Sequence, residues 1–250
     1  MKLLLDIGLM LKRRILEELR DPMWLFMGMT TPLLYLALFA PLLSGSAYIG
    51  GGSVVNYFMP GMLALFAFST GTGVGWVIID ELKAGIVERF RVTPVSRFAL
   101  LMGSVLKDML AFLVPALLVT AVAAIFGFSI HIGGLLLLFL LLMMLTAMIS
   151  AVCHSLGLIL KVVGTLAAVI TGMTLPITLL AGVLLPISAG PAWLRVLAHV
   201  NPLYYIVEAS RYLGAGTVLD WHVGLAFAVT VPLLALALWW ATNVMKKAVS

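Results

Sequence analysis

Residues 135–160 read LLLLFLLLMMLTAMISAVCHSLGLIL, a run without a single Asp, Glu, Lys or Arg. A helix needs about 20 such residues to cross a hydrocarbon core roughly 30 Å thick. Continuous apolar runs of this length indicate helices, because the strands of a membrane β-barrel are short and alternate in polarity. The run therefore predicts a membrane-spanning helix.

The whole composition agrees with this local reading. Hydrophobic residues make up 63% of the 250 residues and charged residues only 10%, with a mean hydropathy of +1.19. That is too little polar side chain to cover a soluble globule. We predict an all-α integral membrane protein that forms one domain over residues 1–250. Its six transmembrane helices are expected at about 23–43, 55–79, 96–126, 135–160, 164–185 and 221–244.

Two segments outside these spans show amphipathic helical spacing. Residues 3–20 place apolar side chains three or four apart, which predicts an interface helix lying flat on the membrane; a helix packed on another protein domain is the alternative. Residues 186–220 hold two short amphipathic pieces, the second beginning after the turn signal Asn201-Pro202. Neither piece is long enough to cross, so we expect short re-entrant helices between spans five and six.

The distribution of cations predicts the orientation. With both termini in the cytoplasm, 13 of the 15 Lys and Arg lie on the cytoplasmic side and only Arg195 and Arg211 lie outside. This agrees with the tendency of cytoplasmic loops to be positive. We therefore predict a multi-pass protein of the cell membrane.

The densest charge lies between spans two and three, where residues 80–97 read DELKAGIVERFRVTPVSR. Positive loops often serve only to fix topology. Here, however, apolar positions at helical spacing lie beside mixed charge, and Thr93-Pro94 stops the helix before Ser96, a candidate cap of span three. Such a short, rigid helix is suited to docking in a groove of another protein.

The sequence offers no energy source of its own. A nucleotide-binding phosphate loop needs a Gly-Lys pair, and no such dipeptide occurs. An ion-coupled carrier needs an ionisable group near the middle of the membrane, and we expect none there, reading Lys107 and Asp108 as a pair near the end of span three. No nucleic-acid partner, metal or cofactor is expected on this chain.

Two sets of residues are candidates for lining a pathway. One is the small-residue face of span two, where Gly71 and Gly75 permit close helix approach. The other is the polar face of spans four and five, although in span four hydrogen bonds between helices, which also involve His154, explain this face better than a pathway role. The polar candidates are Thr146, Ser150, Thr171, Thr174 and Thr178.

A membrane-embedded enzyme is a further alternative. His199, Glu208 and His222 all fall on the outer side in the predicted topology and could assemble there. The histidines are nevertheless scattered over different segments, and the aromatic residues around them are typical of a membrane interface. This alternative predicts activity from the purified chain alone.

The sequence resembles a known family, the membrane subunit of ABC-2 type transporters, in particular the branch that exports drugs, lipids and lipid-linked oligosaccharides. The resemblance covers nearly the whole chain and departs from the family at Ile86, where many members carry threonine. In the charged loop it rests on Glu81, Gly85, Glu88, Arg89, Phe90, Arg91, Thr93 and Pro94. On the outer side it rests on Trp193, Asn201, Pro202, Tyr204, Glu208 and Arg211.

The resemblance implies an export permease working as a homodimer, or paired with a similar subunit, and bound to two cytoplasmic ABC ATPase subunits that hold ATP and Mg. It implies that the 80–97 loop couples to the ATPase, that residues 3–20 form the interface helix, and that the 186–220 segment forms a re-entrant gate. An ion-coupled secondary transporter remains the alternative.

Overall fold

The computed structural model describes residues 2–20, 23–43, 54–84, 96–183, 187 and 190–249. Within these ranges the chain folds into nine helices and contains no strand. The helices are α1 (Lys2–Leu19), α2 (Met23–Leu43), α3 (Val54–Lys83), α4 (Arg97–Ile125), α5 (Ile132–Leu160), α6 (Val163–Leu180), α7 (Ala192–Val200), α8 (Pro202–Gly214) and α9 (Trp221–Val249).

Five of the predicted spans are confirmed as helices long and apolar enough to cross a membrane, namely those within α3, α4, α5, α6 and α9. The first predicted span coincides with α2, a helix of 21 residues. Its crossing of the membrane, and with it the count of six, stays a prediction.

Most helix boundaries follow from local signals. Ser96 caps α4 as predicted, because its hydroxyl accepts a hydrogen bond of 3.1 Å from the backbone N–H of Ala99. Lys161 ends α5 in the left-handed conformation, with φ of 56°. The predicted stop at Thr93-Pro94 lies outside the described residues.

Span five is shorter than predicted, since α6 ends at Leu180 and not at residue 185. Gly182 adopts a φ of +70°, which turns the chain away from the helix axis. The apolar composition of the following residues gave no sign of this turn.

The bundle is organised around α3 and α5, which make the most extensive helix–helix contact and each contribute a large part of the core. Helices α4 and α9 flank α5, and α8 packs against α3, α5 and α9. Helix α6 is peripheral: in the described part of the chain its one buried residue is Leu166. The two short pieces predicted between spans five and six are helices, α7 and α8, and their re-entrant position in the membrane stays a prediction.

Helix α1 lies against α4, and the close approach requires a glycine. A Cβ built on Gly103 would lie only 2.6 Å from Cβ of Met10. Of the apolar side chains predicted at helical spacing in α1, Ile7, Leu11 and Ile15 are half-buried, whereas Leu19 of the same series is 65% exposed. Leu5 and Leu9 on another face are also more than 60% exposed. The helix therefore has one apolar face for the protein and another for its surroundings, as expected at a membrane surface.

Candidate functional site

The end of α3 is tied to α1 by a buried ion pair. The guanidinium of Arg14 donates to both carboxylate oxygens of Glu81, one of them over 2.8 Å. Their side chains are only 17% and 10% exposed. Burial acts to lower the pKa of Arg14, but the hydrogen bond and charge of Glu81 outweigh it and raise that pKa above its ordinary value. Glu81 was predicted to contact an ATPase; in this structure its carboxylate is engaged within the chain.

A second set of charges joins α1 to α4. Nζ of Lys107 lies 2.7 Å from Oδ1 of Asp108 and 3.7 Å from Oε2 of Glu18. Burial, the largest influence, raises the pKa of Glu18, although the charge of Lys107 opposes it. Glu18 follows Arg14 by four residues, so both reach the bundle from one face of α1. We call Arg14, Glu18, Glu81, Lys107 and Asp108 the ion-pair network.

Asp108 also connects the network to α5, because the hydroxyl of Ser150 donates a hydrogen bond to its Oδ2. Asp108 is fully buried and is the twelfth of the 29 residues of α4. It thus lies in the middle third of the helix, and the expectation that no ionisable residue would do so was wrong. The predicted pairing of Lys107 with Asp108 is present.

The polar face of α5 makes contacts between helices. The hydroxyl of Thr146 donates to the carbonyl of Ala67 in α3 over 3.2 Å and to that of Leu142 over 3.0 Å. Nδ1 of the buried His154 lies 3.2 Å from the carbonyl oxygen of Ser150. Thr146 and Ser150 are fully enclosed, so in this conformation they join helices, and their part in a pathway stays a prediction.

The small-residue face of α3 permits close approach, as the spacing predicted. A Cβ on Gly71 would lie 2.8 Å from Cβ of Ile149, and one on Gly75 would lie 2.9 Å from Cδ2 of Leu166. Both glycines therefore pack against neighbouring helices. Whether they also line a pathway stays a prediction.

Substitution of Gly71 by alanine should destabilise the protein, because the new methyl group needs the β-branched Ile149 to move. We expect a loss of about 1 to 3 kcal/mol, typical of overpacking, measured by thermal unfolding of the purified protein in detergent. Gly73→Ala is the matched control, since among the described residues its Cβ meets no atom within 4 Å. Equal melting temperatures for the two variants would contradict this packing.

The polar residues of α6 lie nearer to open surface. Thr171 is exposed, and Thr174 and Thr178 are half-buried. The hydroxyls of Thr174 and Thr178 donate to carbonyls one turn earlier in their own helix, each over 2.7 Å. Of the predicted lining residues, these three are therefore the ones that the structure leaves accessible.

Two polar residues attach the re-entrant helices to the end of α6. The amide of Asn201 donates to the carbonyl of Ile177 over 2.7 Å, and its Oδ1 accepts from the N–H of Leu203 over 3.1 Å, capping α8. Nη2 of Arg211 donates to the carbonyl of Gly182 over 2.6 Å. The cationic guanidinium of Arg211 therefore lies at the carboxyl-terminal end of α6, which is the negative end of its helix dipole.

The remaining predicted gate residues are divided between two places. The guanidinium of Arg211 also lies 3.4 Å from the carboxylate of Glu208 and 4.5 Å from the ring centre of Tyr57. Tyr204 packs on His199 near the Pro202 turn, whereas Trp193 is exposed on α7. The gating role of these residues stays a prediction.

The outer histidines belong to separate groups. His199 contacts Tyr204, while Nδ1 of His222 lies 2.6 Å from Oδ1 of Asp220. The hydrogen bond from the backbone N–H of His222 lowers the pKa of Asp220. In the described ranges no three His, Cys, Asp or Glu residues come together as metal ligands. The structure therefore does not bring His199, Glu208 and His222 into one site.

The predicted coupling residues Gly85, Glu88, Arg89, Phe90, Arg91, Thr93 and Pro94 lie outside the described residues. The helices on either side are described, and both are bound to α1: α3 through Glu81 and α4 through Lys107. Sequence reasoning missed these partners. Two features of the sequence could have indicated them: the opposite charges of Arg14 and Glu18, four residues apart in α1, and the charged pair Lys107-Asp108 inside an apolar span.

Comparison with known proteins identifies the family. The chain matches the family described as ABC-2 type transporter over residues 6–213. It is 29% identical over 219 residues to the putative transport permease ycf38 of Cyanophora paradoxa, covering 83% of this chain and 73% of the relative. It is 24% identical over 206 residues to the daunorubicin resistance ABC transporter permease protein DrrB1 of Streptomyces coeruleorubidus, covering 82% and 73%.

A third relative, the inner membrane transport permease YadH of Escherichia coli K12, is 25% identical over 190 residues, covering 73% of this chain and 72% of its own. The family match over residues 6–213 covers nearly all of α1, the charged loop and nearly all of α8, which are the segments that carried the sequence resemblance. The chain belongs to the ABC-2 type transporter family and is a multi-pass membrane permease.

Proposed function

We propose that this chain is the membrane subunit of an ATP-driven exporter, powered by two separate cytoplasmic ABC ATPase subunits that bind ATP and Mg. It carries a drug, a lipid or a lipid-linked glycan out of the cytoplasm or inner leaflet. The likeness to a daunorubicin resistance permease supports the drug among these substrates. Two copies, or this chain and a similar permease, form the passage, with both termini in the cytoplasm.

The observation that carries this proposal is that ion pairs join α1 to the helices on both sides of the charged loop. Glu81 lies in the last turn of α3, and Lys107 lies within α4, which begins directly after the loop. A displacement of the loop by a conformational change of the ATPase would therefore move α1, α3 and α4 together. Through Ser150 the displacement reaches α5, at the centre of the bundle.

The pathway runs along α6 in this proposal. Its threonines are accessible and α6 packs lightly on the rest of the chain, so its outer surface is free to face a second permease subunit across a shared passage. The cluster formed by Asn201, Glu208 and Arg211 holds the outer end of α6 and acts as the gate.

The test replaces Glu88, Arg89 and Arg91 together by alanine. Because these charges would form the docking contact, we expect at least a ten-fold loss of association with the proposed ABC ATPase partner. Daunorubicin-stimulated ATP hydrolysis should be lost in vesicles. Arg195→Ala, an exposed change on α7, is the matched control. Unchanged association and stimulation in a properly inserted triple variant would refute the docking role.

An ion-coupled carrier is a second candidate, favoured by the buried Asp108 in the middle third of α4. The geometry supports it less, because Asp108 is already paired with Lys107 and bonded to Ser150. A carrier of this class would transport daunorubicin on an imposed ion gradient with no ATPase present. An exporter of the proposed class would not.

A further inference from the structure

A groove of about 340 Å³ runs along the side of α1 that is turned away from α4. Its lining combines charge with apolar surface and consists of Leu9, Lys12, Arg13, Leu16, Glu17 and Arg20. Three cations and one carboxylate give this lining a net charge of +2. A surface with an excess of positive charge attracts an anionic ligand.

Two of the cations in the groove are not engaged by the protein. Lys12 and Arg20 are exposed, and within the described ranges neither forms an ion pair. Arg13 lies 2.8 Å from Glu17 in an exposed pair, which competes only weakly with a ligand. The charges on the opposite face of α1 belong to the ion-pair network. Lys12 and Arg20 are therefore the charges that the groove presents to a ligand.

Exposed leucines lie between these cations. Positions 9, 12, 16 and 20 are separated by three or four residues and therefore share one face of the helix. On this face Leu9 is 62% exposed and Leu16 48%. A line of leucines beside Lys and Arg is typical of a helix at the boundary between lipid headgroups and acyl chains. There the apolar stems of the cations lie along the leucines while their charged ends reach the headgroups.

The contact of α1 with α4 places the groove at this boundary. The candidate span in α4 covers Phe98–Ile125, and its 28 residues extend about 42 Å at helical rise. This is close to the roughly 40 to 45 Å of a bilayer with its headgroups, of which about 30 Å is hydrocarbon. Met10 meets α4 at Gly103, which lies about 8 Å along the axis from Phe98. Helix α1 therefore lies where the headgroup layer meets the hydrocarbon.

Charge and position favour lipid over a protein at this face. A second copy related by two-fold symmetry would bring the same cations of both chains together. In the function proposed above, the second permease subunit meets α6, which packs on α3 and α5, whereas α1 packs on α4. A cytoplasmic ATPase approaches from the aqueous side of the headgroup layer. The headgroups themselves are the ligands present at the level of the groove.

We propose that the groove on α1 binds an anionic phospholipid, whose headgroup is flanked by Lys12 and Arg20 and whose acyl chains lie beside Leu9 and Leu16. Each cation close to an anionic headgroup increases affinity about five-fold. The site is contained in a single chain, and binding there requires neither the ATPase nor transport. Bound lipid fixes the outer face of α1, while the ion-pair network fixes its inner face.

The test measures lipid binding by native mass spectrometry of the full chain in detergent. Phosphatidylglycerol and phosphatidylcholine with identical acyl chains are added in turn, because both contain phosphate but only the first carries a net charge. We expect the first lipid to bind at least about ten-fold more tightly as phosphatidylglycerol. The double variant Lys12→Gln with Arg20→Gln should lose about ten-fold or more of this affinity and keep its affinity for phosphatidylcholine.

The matched control is Lys246→Gln with Lys247→Gln, which removes the same charge from exposed positions in the last turn of α9. Its affinity for phosphatidylglycerol should remain close to that of the wild type, and thermal unfolding establishes that both double variants fold. Equal losses in the two double variants would overturn the proposal, as would a wild type that binds both lipids equally. Unchanged lipid binding by the Lys12 and Arg20 variant, with weaker association with the ATPase, would assign the groove to that partner instead.

Discussion

Glu81→Gln is expected to detach α1 from the end of α3. The amide keeps the size of the side chain but leaves the largely buried guanidinium of Arg14 with the more exposed Glu17, at 3.8 Å, as its nearest remaining opposite charge. Removing one partner of a buried pair costs about 3 kcal/mol or more. We expect an apparent melting temperature lower by roughly 5 to 10 °C, together with the loss of substrate-stimulated ATP hydrolysis.

The matched control for this change is Glu17→Gln. Glu17 pairs with Arg13 over 2.8 Å, where both side chains are more than 40% exposed, and lies farther, at 3.8 Å, from Arg14. Exposed pairs contribute at most about 1 kcal/mol. A Glu81→Gln protein as stable as Glu17→Gln would show that the buried pair does not hold α1.

Asp108→Ala is expected to have an effect of similar size. It leaves Lys107 with Glu18 at 3.7 Å as its remaining opposite charge and removes the acceptor of the Ser150 hydroxyl. We expect about 3 kcal/mol of destabilisation, measured by thermal unfolding and by the amount of inserted protein. Asp108→Asn keeps an acceptor for Ser150 and should lose less.

The double variant Lys107→Met with Asp108→Leu separates a structural role from ion coupling. Replacing a buried pair by apolar residues of similar volume is often close to neutral. A structural role therefore predicts recovery of both stability and ATP-dependent transport. If stability returned and all transport were lost, Asp108 would take part in transport itself and the second candidate function would gain support.

The helices were readily predicted because membrane spans leave a strong signal in the sequence. Uninterrupted apolar runs predicted α3, α4, α5, α6 and α9 to within a few residues at most ends, and Asn201-Pro202 predicted where α8 begins. Among the larger errors, the early end of α6 arose because the turn depends on the conformation of Gly182 and on contacts with Arg211. Local hydropathy does not report such a tertiary contact.

The site was only partly predictable for a related reason. Apolar periodicity shows which face of a helix is buried, but not which helix it meets, so Glu81 was expected to face a partner protein. Its neighbour Arg14 is 67 positions away in sequence. Likewise Ser150 was noted as a polar residue on span four, but its bond to Asp108 depends on the packing of α4 against α5.

Helix α1 joins the two helices flanking the charged loop, and we propose that it thereby transmits ATPase movement to the bundle. The most direct measurement is substrate-stimulated ATP hydrolysis in vesicles for Arg14→Glu, Glu81→Arg and the two changes combined. We predict that each single change abolishes stimulation, because like charges then face each other, and that the combined change restores a substantial part of it. A combined variant as inactive as the single variants, although inserted and bound to the ATPase, would contradict the claim.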